Sequence, residues 1–309
     1  MLDTFEHTDF HATDLAALKS GQVSVVIPTR NTAGTIAHTI AELLLLVEAG
    51  LVDQILVVDA DSADGTAATA TDAGAEVVSE NELIPSAGPV RGKGDAMWRS
   101  LAATRGELIV FADGDIADFG RHYVTGLLGP IIRNPEKQFV KGRYTRPFRQ
   151  HESEQPAGGG RVTELTARPL LAATVPELAA FAQPLAGEVA ATRDLLASIP
   201  FHTGYGVEIA MLVEVWNRIG IDRMAQVDLG TKRYAHQSLA ALNGMASEVI
   251  AGLSETLGRL GRPDLGVITP APGAERETSV RLPAGAIAAG ASPTRPSAKP
   301  DRSHDQVEG

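Results

Sequence analysis

Leu108-Ile109-Val110-Phe111-Ala112-Asp113-Gly114-Asp115 decides the architecture. Five consecutive apolar residues read as a strand buried on both faces, and two carboxylates one residue apart follow at its end. Three similar runs lie upstream: Val23-Ser24-Val25-Val26-Ile27-Pro28, Gln54-Ile55-Leu56-Val57-Val58-Asp59, and Ala75 to Ser79. Helical spacing fills the gaps. It covers Thr35 to Ala49, ending at Gly50; Asp64 to Ala73, stopped by Gly74; and Asp95 to Thr104, stopped near Gly106. Strands and helices that alternate in this way predict an α/β fold with a mostly parallel central sheet, covered on both faces. Such sheets bind ligands beyond the carboxyl ends of their strands. Thr29-Arg30-Asn31, Asp59-Ala60-Asp61 and Asp113-Gly114-Asp115 are therefore expected on one rim.

Outward from this core the pattern is more mixed. Residues 1–20 read as a polar arm with a short helix from about Asp14 to Ser20. Downstream, Phe139 to Tyr144 and Ala186 to Thr192 read as strands, and Gln150 to Gly160 as a polar, glycine-rich loop. Thr163 to Thr174 reads as a helix capped by its threonine. Gly206 to Ile219 is an amphipathic helix, Ala225 to Leu229 a strand, and Asn243 to Leu260 a last helix. The expected division is an arm (1–20), a Rossmann-like nucleotide-binding part (21–145), a second binding part (146–262) and a largely disordered tail (263–309).

Composition narrows the function. The chain has 309 residues, 44% hydrophobic, enough for one substantial core. No apolar run approaches the ~20 residues of a membrane span, and the first residues are too acidic and polar for a signal peptide. Cysteine is absent, which removes disulfides and thiolate metal sites. A cytoplasmic protein is expected. A net charge of −11 argues against a nucleic-acid partner. It leaves small anions open, provided cations are concentrated locally.

The candidate residues follow from that requirement. Asp113 and Asp115 are suited to magnesium or manganese, which take one or two carboxylates and complete their shell with phosphate and water oxygens; a plain acidic turn is the competing reading. Asp59 stands where a base or ribose would lie, Asp64 suits a helix cap, and Asp61 suits either role. Pro89-Val90-Arg91-Gly92-Lys93-Gly94 places a lysine between glycines before a helix, a diphosphate contact without Walker A spacing. Gly158-Gly159-Gly160-Arg161-Val162-Thr163-Glu164 joins a glycine-rich loop, a cation and a hydroxyl at a helix start, an anion site rather than a linker. Glu208, after Gly204-Tyr205-Gly206-Val207, falls in a first helical turn, where a carboxylate is favourable in any case. Lys232-Arg233-Tyr234-Ala235-His236 follows a strand and offers cations and an imidazole.

Together these segments resemble the retaining glycosyltransferases that make glucosyl-3-phosphoglycerate, over roughly residues 12–260. V-V-I-P-T-R-N, V-V-D-A-D-S-A-D-G-T and D-G-D are common to many glycosyltransferases. G-K-G-D-A-M-W-R-S-L-A-A-T and Q-P-L-A-G-E also belong to the resemblance, and G-G-G-R-V-T-E-L-T-A-R-P-L-L and G-Y-G-V-E-I are its more specific segments. The resemblance implies a Rossmann-like GT-A fold, a magnesium ion (or manganese or cobalt), possible homodimers, and transfer of glucose from UDP-glucose to the 2-hydroxyl of 3-phosphoglycerate. It implies that Pro28, Thr29, Arg30, Asp59, Lys93, Asp113 and Gly114 bind the donor. Gly160, Arg161, Val162, Thr163, Tyr205 and Lys232 would serve the acceptor, Asp115 and Glu208 catalysis, and Asp115 with His236 the metal. Thr32 stands where this family usually has an acidic residue, and Tyr234 where it has its metal-binding histidine; either His236, two residues on, takes its place, or a water fills the shell, or the metal is held more weakly.

The residues show no enzymic nucleophile, so a front-face path with the leaving phosphate accepting the acceptor's proton is expected. Three rivals remain: a mannosyl-3-phosphoglycerate synthase using GDP-mannose, a sugar-nucleotide pyrophosphorylase, and a non-catalytic nucleotide-sugar-binding protein. The pyrophosphorylase would carry a glycine-rich loop where Pro28-Thr29-Arg30-Asn31 stands.

Overall fold

The computed structural model describes residues 1–150, 153–155, 159–233, 237–263, 265 and 281–282. Its centre is an eight-stranded sheet in the order β1 (Asp3–Glu6), β11 (Met224–Thr231), β6 (Phe139–Thr145), β9 (Val189–Thr192), β5 (Leu108–Phe111), β2 (Val23–Thr29), β3 (Gln54–Asp59), β4 (Glu76–Ser79). Strands β2 (Val23–Thr29), β3 (Gln54–Asp59), β4 (Glu76–Ser79) and β5 (Leu108–Phe111) run parallel, as the alternation predicted. Their unbroken hydrophobicity has a direct cause. Val26, Leu56, Val58, Ile109 and Phe111 enter one core, whereas Val25, Ile27, Ile55, Val57 and Val110 enter the other. In β2, β3 and β5 successive side chains point to opposite faces and both faces are dry, whereas edge strand β4 is only partly buried.

Beyond β5 the sheet is mixed. β9 (Val189–Thr192) is antiparallel to both neighbours, β5 and β6 (Phe139–Thr145). β11 (Met224–Thr231) returns parallel to β6. At the edge lies β1 (Asp3–Glu6), parallel to β11 with Asp3 opposite Ala225. The arm expected at residues 1–20 thus includes a sheet strand, and its helix α1 (Ala12–Leu18) starts two residues earlier than read. Alternation is no guide to a four-residue polar edge strand.

Helices α2 (Ala33–Glu48), α3 (Thr66–Asp72) and α4 (Gly92–Ser100) connect the first strands. α4 begins before Asp95, so Lys93 lies in its first turn rather than in the loop ahead of it. Helix α5 (His122–Arg133) was not read from the sequence. Gly126, Gly129 and Pro130 lower its helical propensity. The fold uses those glycines for contact: a Cβ at Gly129 would overlap the Phe10 ring, and one at Gly126 would meet Leu229 and His7.

The expected 150–160 loop instead carries a short hairpin, β7 (Phe148–Gln150) with β8 (Ser153–Gln155); residues 151–152 and 156–158 lie outside the described residues. The helix expected from Thr163 starts at 161, makes a π-helical turn over Thr163–Ala167, and continues as α6 (Arg168–Thr174). Thr163 is inside it and is no cap. Pro169 lacks the N–H that an α-turn would use there, which favours the wider turn. α7 (Arg193–Ser198), β10 (Phe201–His202), α8 (Val207–Ile219) and α9 (Leu239–Arg259) complete the second core. β12 (Arg281–Leu282) pairs with β10. The rest of the expected tail, apart from residues 263 and 265, lies outside the described residues. Among the described residues no helix is long and apolar enough to cross a membrane.

Candidate active site

The strand tips meet as the parallel register requires. Thr29 sits opposite Asp59. After each tip the chain turns sharply, through left-handed Asn31 (φ 54°) and Asp61 (φ 50°). Side chains lock these turns together. Asn31 N–H donates to Ser62 Oγ at 2.8 Å, and Ala63 N–H to Asn31 Oδ1 at 3.0 Å. Thr35 Oγ1 donates to the Gly114 carbonyl at 2.7 Å. Asp64 caps two helices, accepting from Thr66 N–H at 3.1 Å and Ala33 N–H at 3.0 Å. These bonds hold its carboxyl below the usual range, the Thr66 hydroxyl contributing most.

A cavity of about 400 Å³ opens on this rim. One wall holds Pro28, Thr29, Arg30, Lys93, Asp113, Gly114 and Asp115. The other holds Gly160, Arg161, Val162, Thr163, Tyr205 and Glu208. Residues far apart in sequence are thereby brought to one space. Left-handed Gly160 (φ 71°) turns the chain into the helix start. Thr163 lines the cavity, and its buried hydroxyl has no hydrogen-bond partner among the described residues.

Beneath the wall runs a chain of alternating charge. Glu188 accepts from Lys232, and Lys232 Nζ lies 3.0 Å from Asp113 Oδ2. Asp113 Oδ1 is 2.7 Å from Lys93 Nζ, which is 3.0 Å from Glu208 Oε1. Burial alone would raise the Asp113 carboxyl, but Lys232 and Lys93 outweigh it and hold it well below the carboxylate range. Lys93 is raised for the reciprocal reason: Asp113 and Glu208 outweigh its burial. Lys141, fully buried with its Nζ 2.7 Å from the Ala186 carbonyl, is pushed down to about 8 by burial. Gly187 closes this floor. A Cβ there would stand 2.6 Å from Asp113 Oδ1 and 2.7 Å from Lys93 Nζ.

Asp115 differs from its neighbour. It stands at the rim without an ammonium partner at salt-bridge distance among the described residues, and burial plus the Asp113 charge raise its carboxyl. A hard oxygen donor in that field suits a divalent cation. No group of three or more metal-ligating side chains occurs among the described residues. Tyr234 and His236 lie outside the described residues.

Two expected contacts are placed differently. Lys232 is completely buried behind the wall, bound to Asp113 and Glu188, and does not line the cavity. Its reach to an acceptor is indirect, because its ammonium is spent on two carboxylates. Asp59 also lies behind the lining: its Oδ2 accepts from Ser62 N–H at 3.0 Å, and Oδ1 has no partner among the described residues. Sequence reading missed Tyr144, Arg146, Gly187 and the apolar wall of Leu242, Met245 and Val249 from α9. Only the Tyr144-Thr145-Arg146 tip of a strand carried a signal.

A parallel-rich sheet, an acidic pair at its rim and a glycine-rich helix start opposite are the frame of a nucleotide-sugar glycosyltransferase. Residues 24–170 match the model of glycosyl transferase family 2. The glucosyl-3-phosphoglycerate synthase of Mycolicibacterium smegmatis is 47% identical over 258 residues, covering 82% of this chain and 83% of that protein. The chain belongs to the glucosyl-3-phosphoglycerate synthase family. Among solved structures, mannosyl-3-phosphoglycerate synthase from Rubrobacter xylanophilus superposes with a TM-score of 0.80 at 46% identity, covering 87% of this chain and 85% of that one. Glucosyl-3-phosphoglycerate synthase from Mycobacterium tuberculosis, in complex with Mn2+, UDP-glucose and phosphoglyceric acid, superposes with 0.79 at 41% identity, covering 92% and 98%.

Proposed function

We propose that this chain transfers glucose from UDP-glucose to the 2-hydroxyl of 3-phosphoglycerate with retention. The observation that carries the reading is the single cavity joining the Asp113–Asp115 rim to the Gly160–Thr163 helix start. It sets two anion sites side by side, one for each substrate. The family's complexes with UDP-glucose and phosphoglyceric acid favour this pair of substrates. The Rubrobacter relative's name points to mannose as the competing donor sugar.

Residues 21–145 form the donor part and residues 146–262 the acceptor part. Pro28, Thr29 and Arg30 face the nucleotide; Lys93 leaves Glu208 to meet the diphosphate. Asp113 and Gly114 shape the ribose side, with Asp59 and Lys232 supporting from behind. Asp115 is the protein ligand for magnesium or manganese, a metal that supplies charge neutralisation for the departing diphosphate. The amides of Gly160 to Thr163, the Arg161 cation and the unpartnered Thr163 hydroxyl hold the acceptor phosphate. Tyr205 and Glu208 orient the acceptor hydroxyl against the sugar. The acceptor hydroxyl attacks on the front face of the sugar, and the leaving phosphate accepts its proton. Both substrates are charged metabolites that do not cross membranes unaided, which assigns the reaction to the cytoplasm.

The test is a screen of UDP-glucose and GDP-mannose with 3-phosphoglycerate, with and without magnesium, followed by product NMR. Glucosyl-3-phosphoglycerate from UDP-glucose is expected. Faster transfer from GDP-mannose would replace the donor. Asp115→Ala and Arg161→Ala should each lower turnover roughly 100-fold or more; near-wild-type turnover in both would defeat the residue assignment.

A further inference from the structure

The acceptor side of the cavity contains a cation that the sequence motifs did not single out. Arg146 follows β6 at its carboxyl end, the same edge from which Thr29 and Asp113 project. It lines the cavity with Arg161. Its Nη2 donates to the Tyr144 hydroxyl at 2.9 Å, and its guanidinium carbon lies 5.0 Å over the Tyr144 ring. Its carbonyl accepts from Gly159 N–H at 3.1 Å. The side chain also packs against the glycine loop: a Cβ on Gly160 would stand 3.1 Å from Arg146 Cδ and 3.3 Å from Nη1. Ring and loop together fix the guanidinium plane, so little rotamer freedom remains to be lost on binding.

Its position relative to the donor is also fixed. Lys232 Nζ lies 5.1 Å over the same Tyr144 ring and 3.0 Å from Asp113. Tyr144 therefore links Arg146 to the donor-side carboxylate, and Arg146 lies between the glycine loop and the donor rim. Two further cations, Arg30 and Lys93, line the donor wall, and Lys93 is held there by Asp113 and Glu208.

3-Phosphoglycerate brings two anions. Its carboxylate is bonded to the carbon that carries the attacking hydroxyl, whereas its phosphate hangs a carbon and an oxygen further away. A helix start with one arginine and one hydroxyl accounts for a single anion. We propose that Arg146 is the second anchor of the acceptor: its guanidinium binds the carboxylate while the Gly160–Thr163 helix start binds the phosphate. This deepens, and rests on, the proposed transfer to 3-phosphoglycerate. Charge-assisted pairing at a preset guanidinium makes Arg146 the residue that selects a 2-hydroxy acid over a polyol phosphate.

The experiment uses the full chain loaded with UDP and magnesium. Binding of 3-phosphoglycerate and of glycerol 3-phosphate, which lacks the carboxylate, is measured by calorimetry for wild type, Arg146→Gln and Arg146→Lys. Wild type should prefer 3-phosphoglycerate by about 10- to 100-fold. Arg146→Gln should remove that preference by weakening 3-phosphoglycerate alone, and Arg146→Lys should retain part of it. UDP affinity measured on the same samples should be unchanged, which identifies a folded donor site. Equal weakening of both ligands, or a preserved preference, overturns the assignment. Should Arg146→Gln fail to fold, the Lys variant decides: a full wild-type preference there overturns the role of the guanidinium fork. Absence of product from wild-type enzyme with UDP-glucose and 3-phosphoglycerate would instead refute the underlying function.

Discussion

Gly187 carries no functional group, yet it sets the distance between Asp113 and Lys93. Its missing Cβ is what lets the chain pass within contact of both charged atoms. Gly187→Ala should displace that pair by a fraction of an ångström or more and lower kcat/KM for the donor roughly 100-fold, with acceptor KM unchanged. Donor-saturation kinetics check this, and wild-type donor kinetics would refute it. Glu80 offers a second residue-level effect. Burial, then Asp61 and Asp95, raises its carboxyl from 4.5 to about 7. The folded chain therefore binds this proton more tightly than the unfolded chain does, and stability falls as pH rises between those two values. Glu80→Gln should raise the thermal midpoint at pH 8 and give no gain at pH 4.5. The side chain is only half buried, so water trims the effect to about 1 kcal/mol, or roughly 2–4 °C. Melting curves at both pH values test it. Lys93 and Lys232 show the limit of reading residues singly: both were recognised as cations, but only their neighbours show that carboxylates hold them.

At the scale of elements, α4 depends on a buried ion pair. Arg99, with no exposed surface, donates from Nε to Asp95 Oδ1 at 2.7 Å. Its Nη groups reach the carbonyls of Leu83 at 2.8 Å, Ile84 at 3.0 Å and Gly88 at 2.8 Å. It thereby holds Ile84 in a left-handed conformation (φ 48°) that a β-branched residue avoids. Asp95→Ala would leave the guanidinium buried without its counter-ion, a loss of about 3–5 kcal/mol. The thermal midpoint should fall by roughly 10 °C; a shift under a few degrees in calorimetry would contradict this. Strands β2, β3 and β5 were legible because a dry two-faced strand needs an unbroken apolar run. Helix α5 was not, because its glycines serve close packing against Phe10, and that need lies elsewhere in the chain. The hairpin at Phe148 and the π-turn at Thr163 were likewise hidden, since pairing partner and hydrogen-bond register are not written in local composition.

For the whole molecule, the first ten residues matter more than their polarity suggests. β1 covers the edge of β11, Lys137 reaches Asp3 at 2.6 Å, and Phe10 fills the space over Gly129 beneath Arg133. Removing residues 1–10 should expose a strand edge, empty part of a core and lower the thermal midpoint by roughly 10 °C, with light scattering showing association. An unaltered midpoint would mean that the arm is dispensable. By itself the sequence determined the layered α/β class, the rim on which the polar strand tips gather, and the two segments proposed to bind anions. Hydrophobic period and turn chemistry are local properties. Tertiary structure alone decided that β9 enters the sheet antiparallel, that Lys232 lies behind the wall, and that Arg146 faces the glycine loop. Those outcomes depend on which distant groups share a low-dielectric space, and charges compete for partners there irrespective of their separation along the chain.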